Sequence, residues 1–150
     1  MPASKSIVHL EDAFAYHINR VHRLLRQHFQ MLTRRLGQEI TQEQYFILNK
    51  LYHRPDQSQN DLAADLGDRA NTSRALAVLE KTGTLSRTRD TEDKRRVIVN
   101  LTRAGRELVE RLNPVFLGER EVVYAGLSQK DLKELRRIFG ILETNLKSDD

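Results

Sequence analysis

The sequence predicts a mainly α-helical protein with one small β-hairpin, and three observations lead to this fold class. Apolar residues recur at steps of three and four through most of the 150 residues, which is the spacing of amphipathic helices. Only residues 83–102 break that spacing, with short β-branched and aliphatic runs on either side of a polar segment. The length suits one domain over 1–150, and 39% hydrophobic with 31% charged residues is typical of a soluble helical protein.

The N-terminal segment is predicted to form one long amphipathic helix from about Leu10 to Leu36. Thr41 is expected to cap a second helix, because its side chain can accept hydrogen bonds from the free amides of the first turn, and Pro55 marks the loop beyond. The apolar residues of the two helices are Phe14, Ile18, Val21, Leu25, Phe29, Leu32 and Leu36, and then Phe46, Ile47, Leu48 and Leu51.

Residues 57–83 are predicted to form a helix-turn-helix. Ser58 can cap the first helix, Asp61 suits the positive end of that helix, and Gly67 can end it in a left-handed conformation. The second helix is expected to begin near residues 68–71 and to end at Gly83. Its first turns carry arginines and short polar groups, which can reach base edges and phosphates in a major groove: Arg69, Asn71, Thr72, Ser73 and Arg74. The alternative is an ordinary antiparallel helix pair with a polar face.

The stretch 83–102 is predicted to form a β-hairpin, in which residues 85–87 pair with residues 97–99. The polar residues between these strands cannot belong to a core, so they place Arg89, Lys94, Arg95 and Arg96 together on an exposed tip. A basic finger of this size fits a DNA groove. The alternative is a charged turn that is simply solvated.

Two further helices are expected after Thr102. The first carries Leu108, Val109 and Leu112 and should kink at Asn113-Pro114, and Ser128 with Asp131 begins the last. Long terminal helices around a compact unit suggest dimerisation helices at about 8–36 and 103–147, with a DNA-binding lobe at about 41–102. Periodicity alone leaves open a monomer in which these helices complete the core.

The positive charge favours double-stranded DNA as a partner. The chain carries a net charge of +4, whereas residues 69–103 contain nine basic and four acidic residues and so carry +5. The remainder is therefore −1, and we expect the positive field to be confined to the segment predicted to contact DNA. Neutralising phosphates releases counterions and drives such association.

Three motifs make the sequence similar to the MarR family of winged helix-turn-helix transcription regulators, over about residues 10–146. They are Asp93-x-Arg95 followed by Leu101-Thr102, Ser-Arg-Ala-Leu-x-x-Leu-Glu-x-x-Gly at 73–83, and Ser-Gln-x-Asp-Leu-Ala at 58–63. The resemblance implies a wing in which Arg95 enters the minor groove and is oriented by Asp93. It also implies that the helix at about 69–82 reads the major groove. The turn between Gly67 and Arg74 is about one residue shorter than the usual family pattern.

By the same resemblance, the first helix and the last two interlock in a homodimer that binds a near-palindromic operator as a repressor. The expected DNA-binding residues are those of the second helix, together with Ser58, Arg87 at the wing base, and Arg89, Lys94 and Arg96 on flanking phosphates. A small aromatic or phenolic effector is implied as well, but no motif fixes its site. Aromatic or polar candidates, left unassigned, are Tyr16, His17, Tyr45, Phe46, Tyr52 and His53.

Other classes of function find little in the sequence. There is no cysteine, no nucleophile–base arrangement, no phosphate-binding glycine motif, and the five histidines lack metal-ligand spacing. We therefore expect no enzyme activity, cofactor or metal, and a cytoplasmic prokaryotic protein without a signal peptide or membrane segment. The remaining alternatives are a small enzyme that shares the fold, a winged-helix protein-interaction module, and a non-specific DNA-binding protein.

Overall fold

The computed structural model describes residues 6–147, which form six α-helices, one short 3₁₀ helix and three strands. The chain divides into two compact units, one ending at Leu112 and one beginning at Asn113, so the boundary lies inside a helix. After the 3₁₀ helix Leu10–Asp12, the elements are α1 Phe14–Arg35, α2 Gln42–His53, β1 Gln57–Ser58, α3 Gln59–Leu66, α4 Arg69–Lys81, β2 Leu85–Arg89, β3 Val97–Leu101, α5 Arg103–Val123 and α6 Gln129–Lys147.

The first long helix begins at Phe14, so the prediction of one helix from about Leu10 is wrong at its N-terminal end. Ala13 takes an extended conformation with φ −87° and ψ 113°, which separates the 3₁₀ helix from α1. The ring Nε2 of His17 lies 2.6 Å from the carbonyl oxygen of Glu11 and joins the two segments. Spacing of apolar residues does not reveal such a break, because Leu10 and Phe14 are four residues apart, as they would be in a continuous helix.

Local capping explains where three of the helices begin, as the sequence predicted. Thr41 and Gln44 form a reciprocal capping box at the start of α2, with bonds of 3.2 and 3.1 Å. The hydroxyl of Ser58 accepts a hydrogen bond from the amide of Asp61 at 3.0 Å and caps α3. Ser128 and Asp131 exchange the same kind of bonds at the start of α6.

The sheet is antiparallel, in the order β1-β3-β2. The predicted hairpin is confirmed and is longer than expected, with Leu85 opposite Leu101 and Arg89 opposite Val97. The short strand β1 pairs with the other edge of β3 and was not predicted, because two residues are too few to show an alternating pattern. The central position of β3 buries Val99 completely and fixes the wing to the helical lobe.

The core of the first unit lies between the sheet, the C-terminal half of α1 and helices α2 to α4. The rings of Phe29 in α1 and Tyr45 in α2 are buried and lie 5.9 Å apart. Phe46, which the sequence predicted for the apolar set of α2, is instead 45% exposed. The largest fully buried apolar side chains are Phe29, Ile47, Leu48, Leu51, Leu62, Leu76, Val99 and Leu112.

The start of α5 packs directly on the turn after α4. The hydroxyl of Thr102 donates to the carbonyl of Gly83 at 2.6 Å and accepts from the amide of Gly105 at 3.1 Å. A Cβ atom at residue 105 would lie 1.9 Å from the carbonyl oxygen of Thr84, so only glycine fits there. The helix then continues through Pro114 to Val123, and the kink expected at that proline stays a prediction.

The second unit, and the N-terminal half of α1 in the first unit, leave many large apolar side chains exposed. No residue of α6 is buried, although its sequence is amphipathic. None of the helices formed by residues 6–147 has the length and apolar character needed to cross a membrane. The exposed apolar side chains of the two regions are Phe14, Ile18, Val21 and Leu24, and then Leu117, Val122, Leu127, Leu135, Ile138, Phe139, Ile141, Leu142 and Leu146.

Candidate nucleic-acid interface

The two residues before α4, the second helix of the helix-turn-helix, set where that helix begins. Gly67 takes a φ of +115°, a value that side chains disfavour, and so ends α3. The carboxylate of Asp68 then accepts hydrogen bonds from the amides of Ala70 at 2.7 Å and Asn71 at 3.2 Å. It also accepts a bond from the Asn71 side chain at 3.1 Å, so the polar start of α4 has a fixed geometry.

The N-terminal half of α4 presents part of the predicted reading set. Arg69, Asn71 and Arg74 are exposed, and the guanidinium of Arg74 donates to the side-chain oxygen of Asn71. Ser73 is half-buried. Thr72 is only 5% exposed, because it lies on the face of α4 that packs into the lobe through Leu76 and Leu79. The structure therefore does not bring Thr72 to the exposed face.

Ser58 also lies away from the exposed face. It is 4% exposed and pairs with Ile98 in the sheet, and its hydroxyl accepts the hydrogen bond that caps α3. A helix-capping serine and a DNA-contacting serine look the same in a sequence, and only burial separates them.

The wing tip is an exposed, internally bonded turn. Asp90 and Arg96 close it through a backbone bond of 2.9 Å, and the carboxylate of Asp93 accepts a bond from the backbone amide of Arg95 at 3.0 Å. Asp93 thus fixes the backbone that carries Arg95, and its role in orienting Arg95 toward DNA stays a prediction. Within residues 6–147, no ion pair involves Arg89, Lys94 or Arg95.

Arg96 and Arg87 face the lobe. The guanidinium of Arg96 lies 3.7 Å from Asp61 in α3 and 3.8 Å from Asp90. Arg87 donates two hydrogen bonds to Glu80 in α4 and a longer one, 3.4 Å, to Gln59 in α3. The hydrogen bonds from Arg87 hold the pKa of the Glu80 carboxyl below its ordinary value of 4.5. Both arginines tie the wing to the helix-turn-helix.

The expectation that positive charge is confined to residues 69–103 is wrong. Helix α1 contains five arginines and no acidic residue: Arg20, Arg23, Arg26, Arg34 and Arg35. Summing the charge of everything outside 69–103 hid this helix, because acids elsewhere cancel it. The sequence also indicated no role for Glu80, the partner of Arg87, although this residue is part of the 73–83 motif.

The aromatic effector candidates are partly committed to packing. Tyr45 packs on Phe29, and the hydroxyl of Tyr52 donates to Glu110 in α5 at 3.0 Å while Arg106 lies 4.9 Å from the ring centre. The guanidinium of Arg20 lies over the ring of Tyr16 in the same way, 5.6 Å from the ring centre. No cluster of three or more histidine, aspartate or glutamate side chains able to hold a metal ion occurs among residues 6–147.

Comparison with known proteins agrees with this geometry. The model of the MarR family matches residues 40–97, which extend from two residues before α2 to the first residue of β3. Over 89% of this chain and 98% of the other, the structure is similar to the MepR–DNA complex of S. aureus, with a TM-score of 0.78 and 24% identity.

Two other solved structures are informative. Reduced AbfR bound to DNA is 28% identical, with a TM-score of 0.70 and 93% of each chain covered. BpsR of Bordetella bronchiseptica, whose DNA binding is regulated by 6-hydroxynicotinic acid, is 22% identical. That match has a TM-score of 0.75 and covers 96% of this chain and 99% of the other.

Proposed function

We propose that this chain, whose residues 40–97 match the model of the MarR family and whose fold is that of winged-helix, DNA-binding transcription regulators, acts as a homodimeric repressor on a near-palindromic double-stranded operator. The proposal places the protein with its operator in the cytoplasm of a prokaryote. A small, aromatic or phenolic effector relieves the repression.

The observation that carries the proposal is the exposure of basic groups on two neighbouring elements. Arg89, Lys94 and Arg95 are exposed on the wing, and Arg69 and Arg74 are exposed on the N-terminal half of α4. Exposed cations without acidic partners are free to neutralise phosphates, which releases counterions. The DNA-bound relatives MepR and AbfR support this use of the fold.

The side-chain positions suggest distinct roles. In this proposal Arg95 enters the minor groove on the backbone that Asp93 fixes, and Arg89 and Lys94 bind phosphates. The exposed polar groups of α4, which are Arg69, Asn71, Ser73 and Arg74, contact the major groove. The side chains that are buried or that face the lobe stabilise the wing and the helix-turn-helix and do not contact DNA in this proposal: Ser58, Thr72, Arg87 and Arg96.

Exposed apolar surface supports the homodimer. Ile138 and Leu142 of α6 are 41% and 38% exposed, and Phe14 of α1 is 83% exposed. Soluble proteins rarely leave contiguous apolar surface in water unless it forms an interface. A symmetric dimer would present two α4 helices to half-sites about 34–36 Å apart, one turn of DNA.

The effector is proposed by analogy with BpsR, whose DNA binding responds to an aromatic acid. An effector that binds one dimer conformation better than the other shifts the spacing of the two α4 helices and so changes operator affinity.

The test is selective binding to genomic DNA. Purified protein should enrich fragments that include the region upstream of its own gene, and the enriched fragments should share a near-palindrome. Titration at two salt concentrations, with unrelated DNA as competitor, should show tight and salt-sensitive binding that survives the competitor.

Other outcomes distinguish the alternatives. Equal affinity for enriched and unrelated DNA would favour a non-specific DNA-binding protein. Absence of DNA binding in low salt would contradict the proposed function and favour a protein-interaction module.

A further inference from the structure

We infer that helix α1 carries a second set of DNA phosphate contacts, made by Arg23 and Arg26 beside the recognition helix α4. The inference rests on the proposed DNA-binding function and extends the interface to a helix that family resemblance assigns to dimerisation.

The charge of α1 is the first observation. Its 22 residues include five arginines and no acid. Arg23 and Arg26 are exposed, and Arg23 makes no ion pair within residues 6–147. A run of cations without interspersed acids leaves a positive field that needs a polyanion to neutralise it.

The side chains around the two arginines suit phosphate oxygens. Residues spaced by three and four on α1 form one stripe, and every member can donate a hydrogen bond: Asn19, His22, Arg23, Arg26, Gln27 and Gln30. Arginine, asparagine and glutamine side chains are among the groups that contact phosphates in protein–DNA complexes. An apolar ligand would find few partners along this stripe.

The continuity of this stripe with α4 is the second observation. A cavity of about 430 Å³ is lined by Arg26 and Glu43 on one side and by Asn71 and Arg74 on the other. A neighbouring cavity of about 330 Å³ shares Arg26 and Glu43 and adds His22 and Arg23. The two cavities share Arg26 and Glu43, so they adjoin one another between the N-terminal half of α4 and the arginines of α1.

The position of Arg26 is fixed by packing. One turn further along α1, the buried ring of Phe29 packs on Tyr45 of α2. Glu43 in the first turn of α2 lies 3.5 Å from the Nε of Arg26, which places the guanidinium beside α2, and the same side chain lines a cavity with Asn71 and Arg74 of α4. Both contacts lie inside the first compact unit, which also contains α4 and the wing.

The dimensions of DNA indicate which part of it would lie against Arg23 and Arg26. The major groove is about 12 Å wide, so a helix inside it is flanked by phosphates on both sides. Groups one cavity away from α4 face that flanking backbone and not the base edges. Arg23 and Arg26 should therefore add affinity for any sequence without adding discrimination between sequences.

The test compares the variant Arg23→Ala/Arg26→Ala with wild type on the operator and on unrelated DNA, across a series of salt concentrations. Each lost phosphate contact should reduce the slope of log affinity against log salt by about 0.9, so the slope should fall by roughly 1.8 per bound protomer. Affinity should drop by the same factor on both DNAs, which leaves the specificity ratio unchanged.

Two control variants and one variant with the opposite expected effect sharpen the comparison. Arg23→Lys/Arg26→Lys keeps the charge and should keep most of the slope. Arg103→Ala removes one exposed arginine that already pairs with Glu107 at 2.9 Å in the first turns of α5, and should leave the slope unchanged. Glu43→Gln frees Arg26 from its carboxylate partner and should strengthen binding several-fold. Thermal unfolding and sedimentation check that each variant keeps its fold and oligomeric state.

The outcomes separate this inference from the proposed function. Normal wild-type binding with an unchanged slope in the double alanine variant would overturn the inference alone. A change in the specificity ratio would overturn it too, because it would mean base contact. Failure of wild type to bind DNA would overturn the proposed function and this inference together.

Discussion

The guanidinium of Arg87 in β2 donates two hydrogen bonds, each 3.1 Å long, to the carboxylate of Glu80 in α4. Its third nitrogen lies 3.4 Å from the side-chain oxygen of Gln59 in α3. One side chain therefore joins the base of the wing to both helices of the helix-turn-helix. A bidentate pair has a defined geometry, so the angle between wing and α4 depends on it.

Removing this pair should weaken operator binding even if neither residue contacts DNA. We expect Glu80→Gln and Arg87→Ala each to lower operator affinity several-fold, because the wing loses its fixed position against α4. A double-mutant cycle on operator affinity measures whether Arg87 acts only through Glu80. An additional loss from Arg87→Ala in the Glu80→Gln background, in proportion to the single variant, would instead indicate a direct phosphate contact.

The same pair predicts a dependence of stability on pH. Hydrogen bonding from Arg87 lowers the pKa of Glu80 below 4.5 in the folded protein. A carboxyl group with a lowered folded pKa stabilises the fold above its unfolded pKa, and that contribution disappears as pH falls through the folded value. The difference in unfolding free energy between wild type and Glu80→Gln should therefore be constant near neutral pH and shrink below about pH 4.5.

An NMR titration of the Glu80 carboxyl checks the cause. In Arg87→Ala the pKa should move back up toward its ordinary value, whereas Lys94→Ala on the wing tip should leave it unchanged. If the pKa of Glu80 were the same in Arg87→Ala and in wild type, hydrogen bonding from Arg87 would not be the cause of the lowered value.

The wing tip predicts a specific loss of DNA affinity. Arg95→Ala should weaken operator binding by about 1–3 kcal/mol and leave oligomeric state and unfolding temperature unchanged, because Arg95 is exposed and its side chain supports nothing else. Lys94→Ala is the matched control, since it should weaken binding to operator and unrelated DNA alike. Equal operator affinity of Arg95→Ala and wild type at fixed salt would remove Arg95 from the interface.

Gly105 predicts a large effect on stability from a single methyl group. A Cβ atom there would meet the backbone carbonyl of Thr84 at 1.9 Å, and neither segment can yield because Thr102 holds them together. We expect Gly105→Ala to lower the free energy of unfolding by about 1–3 kcal/mol in denaturant titrations.

Gly118 in the same helix is the control for that experiment, because a Cβ atom there meets nothing within 4 Å. Gly118→Ala should be neutral or raise stability by about 0.5–1 kcal/mol through helix propensity. If both variants had the same stability, close packing at residue 105 would not be the reason for its glycine.

The sequence predicted features whose causes are local. Thr41, Ser58 and Ser128 cap helices through residues three positions away, and the hairpin pairs residues joined by one short turn. The predicted MarR resemblance, which rests on the same short motifs, is confirmed.

Features that depend on distant packing were not predictable in the same way. The sequence placed Thr72 and Ser58 among the DNA-facing polar residues, but both are buried. It placed Phe46 in the apolar set of α2, but that side chain is 45% exposed. The two-residue strand β1 exists only because the edge of β3 is available to it. The charge of α1 was visible in the sequence, but a sum over the remaining chain concealed it.

The exposed apolar side of α6 predicts the oligomeric state. Ile138 is 41% exposed and no residue of α6 is buried, so Ile138→Glu should leave each protomer folded. In the proposed dimer the new carboxylate would enter an apolar interface without a partner, at a cost of about 3–5 kcal/mol for an uncompensated buried charge.

Sedimentation at micromolar concentration should show a dimer for wild type and a monomer for Ile138→Glu, with operator affinity reduced in parallel. Lys133→Glu on another face of α6 makes a larger change in charge and should remain dimeric. A monomeric wild type, or a dimeric Ile138→Glu, would exclude α6 as the dimer interface.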